Sequence, residues 1–283
     1  MKNKTNIVSY LLLLVFAVVP LIAGLGYALL YSFGVVGSLN HGFTLQHWKL
    51  AFADKSVVIS FLYSAAIAVV ALLLSVTLAM ATALRYYHLF KKGVLSFLIY
   101  LPLAFPAIVA AFFFLQILSK GGLLSRLFYQ AGLTSSMQQF PDWVNDRYGI
   151  GMIITHFFLC FPFFLLLFVS LIETQQLKTF FQLSSSLGAN KRQTTFRVAI
   201  PVLLQKSFPN IILYFIFIFG SYEIPVLLGR SNPEMVSVLA VRKLQKFNLL
   251  DIPQGYVIAI VYTLFVLAFI LLLLKQKKLA YAN

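Results

Sequence analysis

"QLSSSLGANKRQTTFRVAIP", residues 182–201, is a polar and basic interruption in a chain that is otherwise largely apolar. Phe180, Leu183 and Leu187 recur at spacings of three and four, which puts them on one stripe of a short helix over 179–188. Gly188 then offers a position where a helix can end in the left-handed conformation. Asn190 suits the N-cap of a second helix from Lys191, with Phe196 and Val198 on its apolar side and Pro201 closing it. The reading is a helix–glycine–helix elbow, held by apolar contacts and presenting polar and basic residues outward. A solvated connector is the plain alternative. Connectors in compact domains are usually short, however, and a patterned loop of about thirty residues suggests a docking element.

The surroundings decide what kind of chain carries this elbow. Of 283 residues, 61% are hydrophobic and 10% charged, and the mean hydropathy is +0.92. A soluble domain carries about 25% charged residues, so there is too little charge here to solvate a soluble surface. The composition describes an integral membrane protein. A helix needs about 20 apolar residues to cross the hydrocarbon core, and six windows qualify, at 7–33, 57–84, 93–118, 149–173, 208–229 and 253–274. The first follows Lys2 and Lys4 as a secretory leader does, but its apolar stretch is too long for one, so it reads as a retained helix.

Six crossings place both termini on one side. That side holds 1–6, 85–92, 174–207 and 275–283, with Lys2, Lys4, Arg85, Lys91, Lys92, Lys178, Lys191, Arg192, Arg197, Lys206, Lys275, Lys277 and Lys278, 13 basic residues, and Glu173 as the one acid at its border. The other side holds 34–56, 119–148 and 230–252, with nine basic residues and the acids Asp54, Asp142, Asp146, Glu234 and Asp251. The positive-inside rule makes the first set cytoplasmic, and the elbow with it. The net charge of +15 is thus a matter of orientation, since no nucleic-acid-binding motif accompanies it. Cys160 is the only cysteine, which excludes a disulfide framework within the chain. On the external side, Trp48 and Trp143 fall where interfacial anchors are expected, and 231–247 reads as a short re-entrant or interfacial helix.

At this point the residues resemble a known family. Gln182, Leu183 and Ser184, three residues, Gly188, nine residues, then Val198, Ile200 and Pro201 look like the cytoplasmic loop of permease subunits of binding-protein-dependent ABC importers. In that family the pattern reads Glu-Ala-Ala, three residues, Gly, nine residues, Ile, one residue, Leu-Pro. "FLYSAAIAVVALLLSVTLAMATAL" at 61–84 resembles the helix that opens the family's core. The resemblance implies an all-α, polytopic fold with six transmembrane helices, the type I ABC importer permease fold. It implies a first helix and external segment over 1–56, a permease core over 57–274 with a coupling loop at 174–207, and a cytoplasmic tail at 275–283. Gln182, Leu183, Ser184, Leu187, Gly188, Ala189, Asn190 and Pro201 would then couple to the ATPase. Because Gln182 replaces the family's acid, a contact there is a neutral hydrogen bond.

The resemblance further implies a subunit that is not an enzyme. The chain has no phosphate-binding loop Gly-x-x-x-x-Gly-Lys-Ser/Thr, so ATP and Mg would sit on a separate ATPase, with no cofactor in this chain. The expected partners are ABC ATPase subunits, a second permease copy or homologue, an extracytoplasmic solute-binding protein and the bilayer, with no nucleic acid. The expected location is a bacterial inner membrane.

Glu223 is the only acid inside an apolar window, and an ionisable group at that depth faces protein or a wet cavity. It is a candidate for the substrate path with its neighbour Tyr222, or a structural partner of Arg230 or of another helix. His156 and Gln116 are weaker candidates, and a lone His among Phe residues commonly serves as a helix–helix hydrogen bond. "GSYEIPVLLG" resembles permeases of the polyamine, iron, thiamine and phosphonate group, and Glu223 makes a polyamine such as spermidine or putrescine the first choice of cargo. A stand-alone secondary transporter or channel would need ion-site acids on several helices, and a membrane scaffold would leave the elbow without a partner.

Overall fold

The computed structural model of the chain describes residues 9–37, 42–90 and 93–281; Lys2, Lys4, Lys91 and Lys92 lie outside them. Among the described residues the secondary structure is helical, with no strand. In chain order the helices are α1 (Ser9–Ser32), α2 (Gln46–Ala53), α3 (Lys55–Tyr86, continued by a 3₁₀ turn over Tyr87–Phe90), α4 (Val94–Tyr100), α5 (Ala107–Leu118), α6 (Leu123–Gln130), α7 (Ile150–Thr174) and α8 (Leu177–Ser186). There follow α9 (Lys191–Phe219), α10 (Glu223–Leu228), α11 (Val236–Leu244) and α12 (Asp251–Tyr281). Six stretches are long and apolar enough to cross a membrane: Ser9–Ser32, Lys55–Phe90, Ala107–Gln130, Ile150–Thr174, Lys191–Phe219 and Asp251–Leu271.

Three expectations from the sequence are corrected. The apolar window 93–118 is not one helix, because Pro102 and Pro106 supply no amide to the ladder and Pro106 is extended at ψ 147°; α4 and its 3₁₀ turn end at Ala104 before α5 begins. The fifth span lies earlier than the window 208–229 and breaks at Gly220–Tyr222. Pro225 has no amide to return to the Ser221 carbonyl, so α10 starts afresh with the Val226 amide on the Tyr222 carbonyl at 3.1 Å. Nor does Pro201 close the helix from Lys191. A π-turn over Thr195–Ala199, with the Ile200 amide bonded to the Thr195 carbonyl, precedes it. That wider turn shifts the carbonyls a proline ring would strike, and α9 runs on to Phe219.

The chain divides into two compact units, one made of the residues up to Phe61 with those from Val236 onward, the other of Leu62–Met235. In the first, α12 packs along α1, α2 and α11, and Tyr31 and Tyr256 lie with ring centroids 4.5 Å apart. Trp48, expected as an interfacial anchor, stacks on Phe33 at 5.5 Å. Lys243 on α11 is 4% exposed and donates to Asp54 Oδ2 at 2.8 Å and Gln254 Oε1 at 2.7 Å. Asp54 also accepts the Ser56 amide at 2.9 Å in the first turn of α3. Burial pushes the Asp54 carboxyl up, but the hydrogen bonds from Lys243 and Ser56 outweigh it and hold the group at about 2.

The second unit is built on α7. Met152 packs with Ile67, Ala111, Leu118, Ile224 and Leu228 in one buried cluster. Gly149 begins α7 in the left-handed region at φ 68°, and a Cβ there would lie 2.4 Å from the Ile67 side chain, so both backbone and space require glycine.

Candidate functional site

The elbow takes shape through hydrogen bonds. The helix α8 ends at Leu187, and Gly188 turns the chain at φ 81° while the Ala189 amide returns to the Ser184 carbonyl at 2.9 Å. Asn190 then forms a capping box: its Oδ1 accepts the Gln193 amide at 2.8 Å, and Gln193 Oε1 accepts the Asn190 amide at 3.0 Å. The arms are joined by a hydroxyl pair, Ser184 and Thr194, at 2.7 Å, with Thr194 buried. The expected apolar seam is absent. Phe180, Leu183 and Leu187 are 48%, 57% and 88% exposed, and Phe196 is exposed as well. Stripe and N-cap were legible from spacing; the Ser184–Thr194 bond that replaces the apolar seam was not, because serine and threonine at a ten-residue separation carry no pattern.

Of the other coupling candidates, Gln182 is exposed with no hydrogen bond from its side-chain amide among the described residues, Ala189 is half-buried beside the turn, and Pro201 lies inside α9 rather than at its end. The elbow therefore offers an apolar stripe and a neutral amide to a partner.

The substrate-path candidates are placed by the break in the fifth span. Ile224 and Leu228 are fully buried in the α7 cluster, and the Asn145 amide bonds the Leu228 carbonyl at 2.9 Å. With α10 pinned on that face, Tyr222 and Glu223 are left exposed. Among the described residues Glu223 forms no ion pair with Arg230. His156 is fully buried, with Nδ1 2.8 Å from the Met152 carbonyl and Nε2 3.0 Å from Ser221 Oγ. It is a helix-to-break hydrogen bond one residue from Tyr222. Ser221 was not singled out in the sequence, although "GS" before an acid in an apolar run is the signal that could have found it. Gln116 stands apart, exposed on α5 beside a cleft of about 520 Å³ with Ser119 and Arg126. Among the described residues no group of three or more His, Cys, Asp or Glu could hold a metal ion.

Residues 75–276, which include the elbow and the broken fifth span, match the family described as "Binding-protein-dependent transport system inner membrane component". The maltose/maltodextrin transport system permease protein MalF of Vibrio vulnificus is 24% identical over 195 residues, 67% of this chain and 36% of that protein. The thiamine transport system permease protein ThiP of Haemophilus influenzae is 26% identical over 237 residues, 82% of this chain and 42% of that protein. The chain thus spans less than half the length of these curated relatives. A bacterial ABC transporter involved in the import of the acidic polysaccharide alginate has a chain of the same fold, with a TM-score of 0.68 at 15% identity over 94% of this chain and 92% of that one. An all-α architecture with six apolar spans, the fold of an ABC importer permease and a family match over most of its length lead to one placement: the chain belongs to the binding-protein-dependent transport system inner membrane component family and is a multi-pass protein of that membrane.

Proposed function

We propose that the chain is the permease subunit of an ATP-binding cassette importer and forms the path for a small polar solute handed over by a solute-binding protein. It would pair with a second permease, a copy or a homologue, and with two ATPase subunits that carry ATP and Mg. The observation that supports this most is the capped elbow with Phe180, Leu183 and Leu187 turned outward. An apolar stripe on a rigid, solvent-reaching corner is the surface a helix-in-groove contact uses. Closure of the ATPases would pull the elbow and rock the permease as a rigid body.

The relatives' names concern maltose, maltodextrin and thiamine, so a sugar or a thiamine-like solute is the cargo best supported. A polyamine, iron or phosphonate has no counterpart among these relatives. A thiamine-like cation would still use the exposed Glu223 carboxylate, whereas a sugar would not need its charge.

The test is Leu187→Asp. A substitution at so exposed a position should change folding stability by no more than about 0.5 kcal/mol. Capture of the ATPase from membranes should fall at least tenfold, as expected when a charge enters an apolar contact. Undiminished capture would show that the stripe is not the docking surface.

A further inference from the structure

The C-terminal end of α3 and the N-terminal end of α9 flank a cleft of about 1160 Å³ beside the elbow. That exceeds the 300–1,000 Å³ typical of small-molecule pockets. Leu84, Phe181 and Phe196 give it apolar walls, Arg85 and Lys191 stand at its rim, and Ser185 adds a hydroxyl. No carboxylate is among the described residues that line it. Arg85 uses its Nε on the Tyr86 hydroxyl at 2.9 Å and lays its guanidinium over the Tyr86 ring at 5.4 Å, while its terminal nitrogens and the Lys191 ammonium make no hydrogen bond or ion pair among the described residues.

Both flanking helices belong to stretches long and apolar enough to cross a membrane, and the charged residues at these helix ends would set the cleft near the headgroups. Two cations with no carboxylate beside them in the cleft, over apolar walls, match one chemistry, an acyl chain ending in a phosphodiester. The helix α8 separates this cleft from the docking stripe. Phe181 and Ser185 face the cleft, whereas Phe180, Leu183 and Leu187 are not among its lining residues, so both surfaces can be occupied together.

We propose that this cleft binds one anionic phospholipid, its phosphate between Arg85 and Lys191 and an acyl chain along Leu84, Phe181 and Phe196. The lipid wedges the elbow against the end of α3. The site rests on the chain spanning the membrane and not on what it transports.

The full-length chain, purified in detergent, is incubated with phosphatidylglycerol or phosphatidylcholine and its retained lipid read by native mass spectrometry. Wild type should retain phosphatidylglycerol preferentially. Each basic group near the headgroup is worth about fivefold, so Arg85→Gln with Lys191→Gln should lower that retention by roughly thirtyfold. Lys49→Gln, an exposed lysine in the other unit, should leave it unchanged. Should the double variant fail to fold, Lys191→Gln alone reads out the fivefold step. Equal retention of the two lipids by wild type overturns the proposal, and so does displacement of phosphatidylglycerol by excess inorganic phosphate, which would make this a plain anion site. Unchanged lipid retention with reduced ATPase capture in the double variant would also overturn it, assigning the cleft to an acidic protein segment.

Discussion

Because a carbonyl oxygen only accepts, the His156 nitrogen facing Met152 carries the proton, and Nε2 accepts from the Ser221 hydroxyl. Ser221→Ala would strand that nitrogen in a buried site, at about 1–3 kcal/mol; thermal unfolding in detergent should show the loss, and Ser221→Thr should restore most of it. Glu223 obeys different physics, since it is exposed and forms no ion pair among the described residues. If the cargo is a thiamine-like cation, Glu223→Gln should weaken its uptake about tenfold, the worth of a partly desolvated charge contact. If the cargo is instead a sugar, its uptake by the same variant should be unchanged, and full uptake of a cationic cargo by Glu223→Gln would remove the charge from the path. The carboxylate could be found in the sequence because an acid is rare in an apolar run. Its freedom from Arg230 could not, since that depends on α10 being pinned by Ile224 and Leu228.

Whole elements depend on a few polar ties. In the elbow, Asn190→Ala removes one side of a capping box and should destabilise the N-terminal end of α9 by about 1 kcal/mol. Gly188→Val meets no neighbour, so its effect is purely backbone strain, about 1–3 kcal/mol for a branched residue at φ 81°; coupling should fail while membrane insertion persists. In the other unit the tie is Lys243 with Asp54. A carboxyl lowered from 3.8 to about 2 in the folded chain adds stability that is present above pH 4 and drains away as pH falls toward 2. Melting temperature should therefore fall over that window in wild type, and by less in Asp54→Asn. The helix Val236–Leu244 was expected from its sequence; this tie was not, because its ends are 189 residues apart. Periodicity reports which face of an element is apolar and is silent about which distant charge meets it.

At the scale of the whole molecule, the six spans and their order were readable because hydrophobic length is a local property. Their limits were less so, since prolines act through the turns around them: Pro102 and Pro106 split one window, whereas Pro201 interrupts nothing behind its π-turn. Orientation is tested by a cysteine at Ser185, an exposed elbow position. An impermeant thiol reagent should label it in inverted vesicles and not in cells with a sealed inner membrane; the reverse would turn the molecule over. The continuation of α9 past its π-turn, Pro201 and Pro209 has a mechanical consequence. Its 29 residues at about 1.5 Å each make a rod of roughly 43 Å from Asn190 to the Gly220 break. A lever of that length converts a tilt of about 5° at the elbow into a sweep of roughly 4 Å at its far end, where Tyr222 and Glu223 begin. Stiffness along the shaft sets the gain, and with Pro209 already inside it a further helix-breaker in mid-span should shorten that sweep while leaving both ends intact.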